Sequence, residues 1–325
     1  MNDQRMDDLR LSPEQQANIQ KMGRPLIDKV EFIADVKKAI DENHGYAAGR
    51  FGMSQKHWMY YPILAGRKMA NPKVLKIFEK RLCFHGLTQE GVFPAEPDFY
   101  LRYNDFYMKH VGNLDCIGLY LNDWDVAMEK PIIDHYQIQN KLIYYTDQQP
   151  DRSIDGDERH CYLPYFRDKK ILIICPFAKL LRDRARQDIF EGVWSNLDKK
   201  WFYPHNVTAL EFPYGFARAT QEKYDTILDL YQEITTEIER REFDIALIGA
   251  GGLGIPIASF VKNMGRIGLD LGGHLQIVFG VIGQKWRSLT EWQEAYFNEW
   301  WIDMPAAYKP EEDACFEYGQ PGAFW

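Results

Sequence analysis

The stretch FDIALIGAGGLGIPIASFVKNMGRIGLDLGG, residues 243–273, decides the fold. Its opening FDIALI, residues 243–248, reads as a strand of a sheet covered on both sides. Gly249, Gly251, Gly252 and Gly254 then allow a tight turn, and residues 255–264 carry a helical pattern. RIGLDL, residues 266–271, is a further strand of the same kind. Strand, glycine turn, helix and strand make a βαβ unit, and such units build parallel sheets.

The same alternation runs upstream. KKILIICPFA holds a strand at 170–175, KLLRDRARQDIF a helix, NVTALEFP a strand, and residues 220–241 one long amphipathic helix. Earlier, helical spacing over 26–43 is followed by the strand-like YAAGRFG, which ends at Gly52. Helices are expected over 56–66, 73–85 and 98–110, and strands over 116–121 and 141–146. HLQIVFGVI, residues 274–282, reads as a short buried helix, and the Trp-rich end as a helix anchored on the core. The expected architecture is one α/β domain over residues 25–325, Rossmann-like, with a mostly parallel sheet and helices on both faces. Residues 1–24 are expected to be flexible and residues 147–160 to form a mobile loop.

Composition narrows the function classes. A formal net charge of -8 argues against a general nucleic-acid surface. Five widely spaced cysteines, with no zinc spacing among them, suit free thiols in a reducing compartment. No run approaches the roughly 18 apolar residues of a membrane span. The expectation is a soluble cytoplasmic protein, with peripheral membrane contact and homo-oligomerisation both compatible with the sequence.

In an open parallel sheet, ligands bind beyond the carboxyl ends of the strands. Four positions follow from this: Arg50 and Gly52 after the first strand, Pro176 and Phe177 after 170–175, the glycine turn, and Gly272, Gly273 and His274 after 266–271. Gly249, Gly251, Gly252 and Gly254 would let a phosphate approach the backbone at a helix N-terminus, or would simply permit close packing. Arg50 suits a bidentate grip on a diphosphate, or is simply exposed or paired with a neighbouring acid. Lys179, Arg182 and Arg186 flank an anion or form a solvated face. Asp270, 21 residues after Gly249, meets the local requirement of an NAD fingerprint. A dinucleotide fold, however, puts that motif on its first strand and builds several units after it.

RFG after the first strand, KKILIICPFA, the 243–265 stretch and IGLDLGGHLQIVFG together resemble the GT-D-type glycosyltransferases associated with polysaccharide biosynthesis. The resemblance runs over about 28–325 and is strongest at 169–178 and 243–286. It implies a nucleotide-diphosphate sugar as donor, a glycan acceptor, a glycine turn near the diphosphate, and a final GAFW packed back on the domain. Arg50, Phe51 and Gly52 match the family's Arg-Phe-Gly-Asp-Gly-Glu, whereas Met53, Ser54 and Gln55 replace the rest. Asp270, Leu271, Gly272 and His274 match its Asp-Ile-Gly-His segment with one inserted glycine, and the acidic metal motif falls on Gln276 and Val278. Neither supplies a carboxylate, so no metal ligand is assigned and a divalent ion is doubtful. Asp270 and His274 are the candidate catalytic residues, Asp270 as a base or a ribose ligand. Three readings follow: a glycosyltransferase, a catalytically silent nucleotide-sugar binder or scaffold of the same pathway, and an NAD-dependent oxidoreductase.

Overall fold

The computed structural model describes residues 11–66, 71–150, 160–195 and 206–309. Seven strands form one sheet: β1 Tyr46–Arg50, β2 Cys116–Leu119, β3 Lys141–Tyr144, β4 Lys170–Ile174, β5 Asn206–Leu210, β6 Ile245–Ile248 and β7 Ile267–Asp270. Their order is β3-β2-β1-β7-β6-β4-β5, and every neighbouring pair is parallel. The α/β architecture read from the sequence is the one observed. The strand before the glycine turn is the sixth in the chain but lies inside the sheet, between β4 and β7.

Before β4 come helices α1 Pro13–Met22, α2 Lys29–Glu42, α3 Gln55–Ala65, α4 Pro72–Thr88, α5 Pro97–Val111 and α6 Asp123–His135. After it come α7 Ala178–Arg184, α8 Gln187–Val193, α9 Arg218–Lys223, α10 Ile227–Glu239, α11 Gly254–Asn263 and α12 His274–Val278. One face of the sheet is covered by α3 to α6, α10 and α11, whose apolar residues form a single core with Leu172, Ile174, Ala246 and Ile248. The other face is covered by α2, α7, α8, α12 and the Trp-rich segment, over Ile171, Ile173, Ile245 and Leu247. The strict alternation along β4 and β6 between the two cores explains why these strands read as unbroken apolar runs. Small residues on β1 and β7 let α11 lie close to the sheet: a Cβ on Gly268 would stand 2.7 Å from the Ala258 carbonyl oxygen.

The chain leaves β1 and β6 toward the first face, and β4 and β7 toward the second. The connections at the carboxyl ends of β1 and β7, β7 and β6, and β6 and β4 thus leave on opposite faces, the arrangement of the switch points of doubly wound sheets. No helix among the described residues is long and apolar enough to cross a membrane.

Several boundaries differ from expectation for local reasons. The segment expected to be flexible carries α1 from Pro13, closed by a capping box of Ser12 and Gln15, and buried Asn18 donates to the Leu121 carbonyl 3.0 Å away. The helix expected over 220–241 is two helices, because Tyr224 is extended and Thr226 with Asp229 caps a fresh start. Residues 274–282 are not one helix: α12 ends at Val278, Gly280 turns at φ +70°, and Val281–Ile282 pairs in parallel with Ile302–Asp303. In place of an anchored C-terminal helix, two short ones, Gln284–Arg287 and Thr290–Ala295, help bury Trp286, Trp292 and Trp301, while Trp300 is exposed. Gln148 and Gln149, expected in the mobile loop, are buried, and residues 151–159 and the terminal GAFW lie outside the described residues.

Candidate functional site

Arg50 is the last residue of β1. Its guanidinium lies against Gly272, where a Cβ would come within 2.8 Å of Nη2, and the base of its side chain against Gly118 of β2, where a Cβ would come within 3.0 Å of the Arg50 Cβ. Gly272 adopts φ +51°, so a side chain there would be both strained and in the way. Among the described residues nothing accepts a hydrogen bond from the buried Nη1. Burial opposes the charge, but Tyr120, Asp270, Tyr145 and Glu90 outweigh it and hold the group above its ordinary value. A charged donor whose buried Nη1 has no acceptor among the described residues has the chemistry to hold an anion.

Asp270 ends β7 and is buried. Its Oδ1 accepts from the Gly272 N–H at 3.1 Å. Burial lifts the carboxyl to about 6, against the pull of Arg50 and the Gly272 amide. The carboxyl lies on the first residue of α11: a Cβ on Gly254 would stand 2.4 Å from both of its oxygens.

Glu90 was not foreseen from the sequence. It sits in the loop after α4, and its Oε2 accepts from the Gln55 Nε2 at 3.1 Å. Burial lifts it to about 7, helped by the charge of Asp270 and opposed by Gln55 and Arg50. Gln55 is the connector. Its Oε1 accepts from the Gly52 N–H at 3.0 Å and the Tyr107 hydroxyl at 2.6 Å, and its Nε2 also reaches the Gly251 carbonyl at 3.3 Å. One buried amide thus ties the end of β1, the glycine turn and Glu90 together, with all four of its hydrogen-bonding positions used.

The glycine turn faces protein. Gly251, at φ +52°, would place a Cβ 2.6 Å from the Glu90 carbonyl oxygen, and Gly252 one 2.4 Å from Val92. The Gly252 N–H donates to that same carbonyl at 2.9 Å, and the Tyr103 hydroxyl donates to the Gly252 carbonyl at 2.8 Å. A Cβ on Gly249 would stand 3.0 Å from the Gly272 carbonyl oxygen. These contacts account for all four glycines by close packing, and they place Glu90 and Asp270. Gly254→Ala is accordingly expected to cost about 1–3 kcal/mol, the usual penalty of overpacking. Urea unfolding checks it, and wild-type stability would mean that the carboxyl does not lie there.

Pro176 and Phe177 follow β4 and meet the ionic group only through Glu90. With Glu90, Tyr214, Phe216 and the 249–251 turn they line a narrow apolar slot of about 40 Å³. Across the sheet, beyond β2 and β3, Tyr120 and Tyr145 stack with ring centres 4.1 Å apart, and the Arg50 guanidinium lies 6.0 Å from the Tyr145 ring. The ionic group therefore has aromatic surfaces on both sides.

Other expected residues are placed elsewhere. Gly273 caps α12, and His274 is buried with its ring edge-on to Trp286 at 5.3 Å, under the Trp-rich segment. Gln276 is buried and donates to the Val281 carbonyl, and Val278 is in the second core. Acids at those two positions would be buried in apolar surroundings, so the residues present do not fit a metal there. Among the described residues no group of three or more His, Cys, Asp or Glu could hold a metal ion. Lys179, Arg182 and Arg186 pair with Glu211, Asp183 and Asp188 on the surface. Comparison with protein-family models, curated proteins and solved structures finds no match to this chain.

Proposed function

We propose that this chain is a glycosyltransferase that takes a nucleotide-diphosphate sugar as donor, in surface-polysaccharide or related glycan assembly. The observation that carries the reading is the unpartnered Arg50 Nη1 beside two carboxylates of raised proton affinity, at a switch point of a parallel sheet. In this reading Arg50 grips the diphosphate and Asp270 or Glu90 is the base. The acceptor hydroxyl loses its proton to that carboxylate as its oxygen bonds to the anomeric carbon. The bond from that carbon to the diphosphate breaks, and the electron pair leaves with the diphosphate, whose charge Arg50 stabilises. The Tyr120 and Tyr145 pair offers a stacking surface for a planar base or the apolar face of a sugar. The slot is far below the roughly 300 Å³ of a small-molecule pocket, so in this reading the donor lies over the carboxyl ends of the strands and not within the slot.

The second reading, a silent nucleotide-sugar binder, is favoured by the packing of Asp270 on Gly254 and its bond to the Gly272 amide, which equally describe a structural acid. A thermal-shift series with nucleoside diphosphates, diphosphate sugars and NAD(P), followed by an assay of nucleotide release, separates the two. Stabilisation by a diphosphate sugar with release of the diphosphate is expected. Stabilisation without release at any acceptor would leave the binder, and stabilisation by NAD(P) alone would sink both.

A further inference from the structure

The outward side of α4 reverses the charge of the rest of the protein. Lys73, Val74, Lys76, Ile77, Lys80 and Arg81 are all exposed, Val74 and Ile77 at 53% and 58%. At 100° per residue they fall within one arc of about 160°. Leu75, Phe78 and Leu82 pack inward. Glu79, the only acid of the helix, accepts from the Tyr61 hydroxyl at 2.9 Å and is half-buried. Among the described residues none of the four cations has an ion-pair partner, whereas the chain as a whole carries a net charge of -8.

We propose that this face docks α4 along the surface of an anionic lipid bilayer. Charge complementarity selects the partner: four unpaired cations need an anionic surface. The two branched aliphatic side chains among them need an apolar layer directly beneath the charges. A bilayer containing acidic lipids supplies both, while a nucleic acid supplies only the first. α4 also runs straight into Gln89 and Glu90, so docking holds the candidate site near the lipid surface whatever reaction it performs.

Co-sedimentation of the full chain with vesicles tests this, using phosphatidylcholine alone and phosphatidylcholine with phosphatidylglycerol, at low and high salt. Binding is expected only on the acidic vesicles at low salt. The Lys76→Glu/Lys80→Glu double variant should weaken it about tenfold or more, and Ile77→Ser about threefold. These positions are exposed, so circular dichroism should show an unchanged fold. If a variant misfolds, the lipid and salt dependence of the wild type decides. Failure to bind acidic vesicles, equal binding to neutral ones, wild-type binding by the folded double variant, or equal retention on a DNA duplex overturns the proposal.

Discussion

Asp270→Asn is expected to slow sugar transfer by about 10²–10⁴-fold, the range that a positioned general base supplies, while nucleoside-diphosphate binding is kept or tightened. The carboxyl is buried beside Arg50, so its loss removes a base and also a negative charge facing the anionic ligand. Burial pushes Asp270 up to about 6 and Glu90 to about 7, the latter helped by the charge of Asp270, so both carboxyls lose their protons near neutral pH. The wild-type rate should therefore rise with pH across that range. Stability should run the other way. Because both folded values are raised, the native chain holds more protons than the unfolded one, and stability falls as pH rises from the ordinary carboxylate range to about 7. Asp270→Asn should flatten that fall in Tm, a readout independent of turnover. A transfer rate within threefold of wild type would remove Asp270 from the base role. A loss confined to Glu90→Gln would move the role to the loop after α4.

How much of this was readable depends on whether each signal is local. β4 and β6 are legible because burial on both faces demands an unbroken apolar run, and Arg50, Asp270 and Gly272 follow from their places at strand ends. The glycines were legible as a tight turn but not in purpose. A glycine that admits a phosphate and one that admits the Glu90 carbonyl look alike in sequence, and only the opposing atom distinguishes them. Glu90 has no motif around it; tertiary packing of the 90–92 segment on Gly251 and Gly252 brings it in. Gln55 read as the loss of a family acid, yet it is the amide that holds Glu90. His274, between glycines and a helix, suggested a ligand contact, but α12 runs toward the second face and takes the ring under Trp286.

The largest stability effect is expected one residue beyond Gln55. Lys56 is fully buried in α3, and its Nζ is paired with Asp125 and, at 3.1 Å, with Glu129 of α6. It also stands 4.6 Å from the centre of the Tyr120 ring. Each carboxyl keeps one oxygen, Asp125 Oδ2 and Glu129 Oε2, without a hydrogen-bond partner among the described residues, and burial holds Glu129 above its ordinary value. Among the described residues the lysine is the only cation paired with these two buried acids. Lys56→Met keeps much of the volume but leaves both acids uncompensated, so a loss of about 3–5 kcal/mol is expected at neutral pH. Glu129, already raised by burial, escapes by binding a proton, which raises its folded value further above the unfolded one. The loss should therefore grow as pH rises and shrink toward pH 5, as urea unfolding at several pH values would show. The triple variant with Asp125→Leu and Glu129→Leu should recover part of the loss, because the buried charges are gone although the Tyr120 N–H loses its acceptor. The effect should also reach the site. The Glu129 carboxylate that pairs with Lys56 accepts the Tyr120 N–H at 3.1 Å, and Tyr120 stacks on Tyr145 beside Arg50. Nucleoside-diphosphate affinity in Lys56→Met should fall along with stability. A variant that loses less than about 1 kcal/mol, or loses the same at every pH, would show that Lys56 is not what holds the two acids.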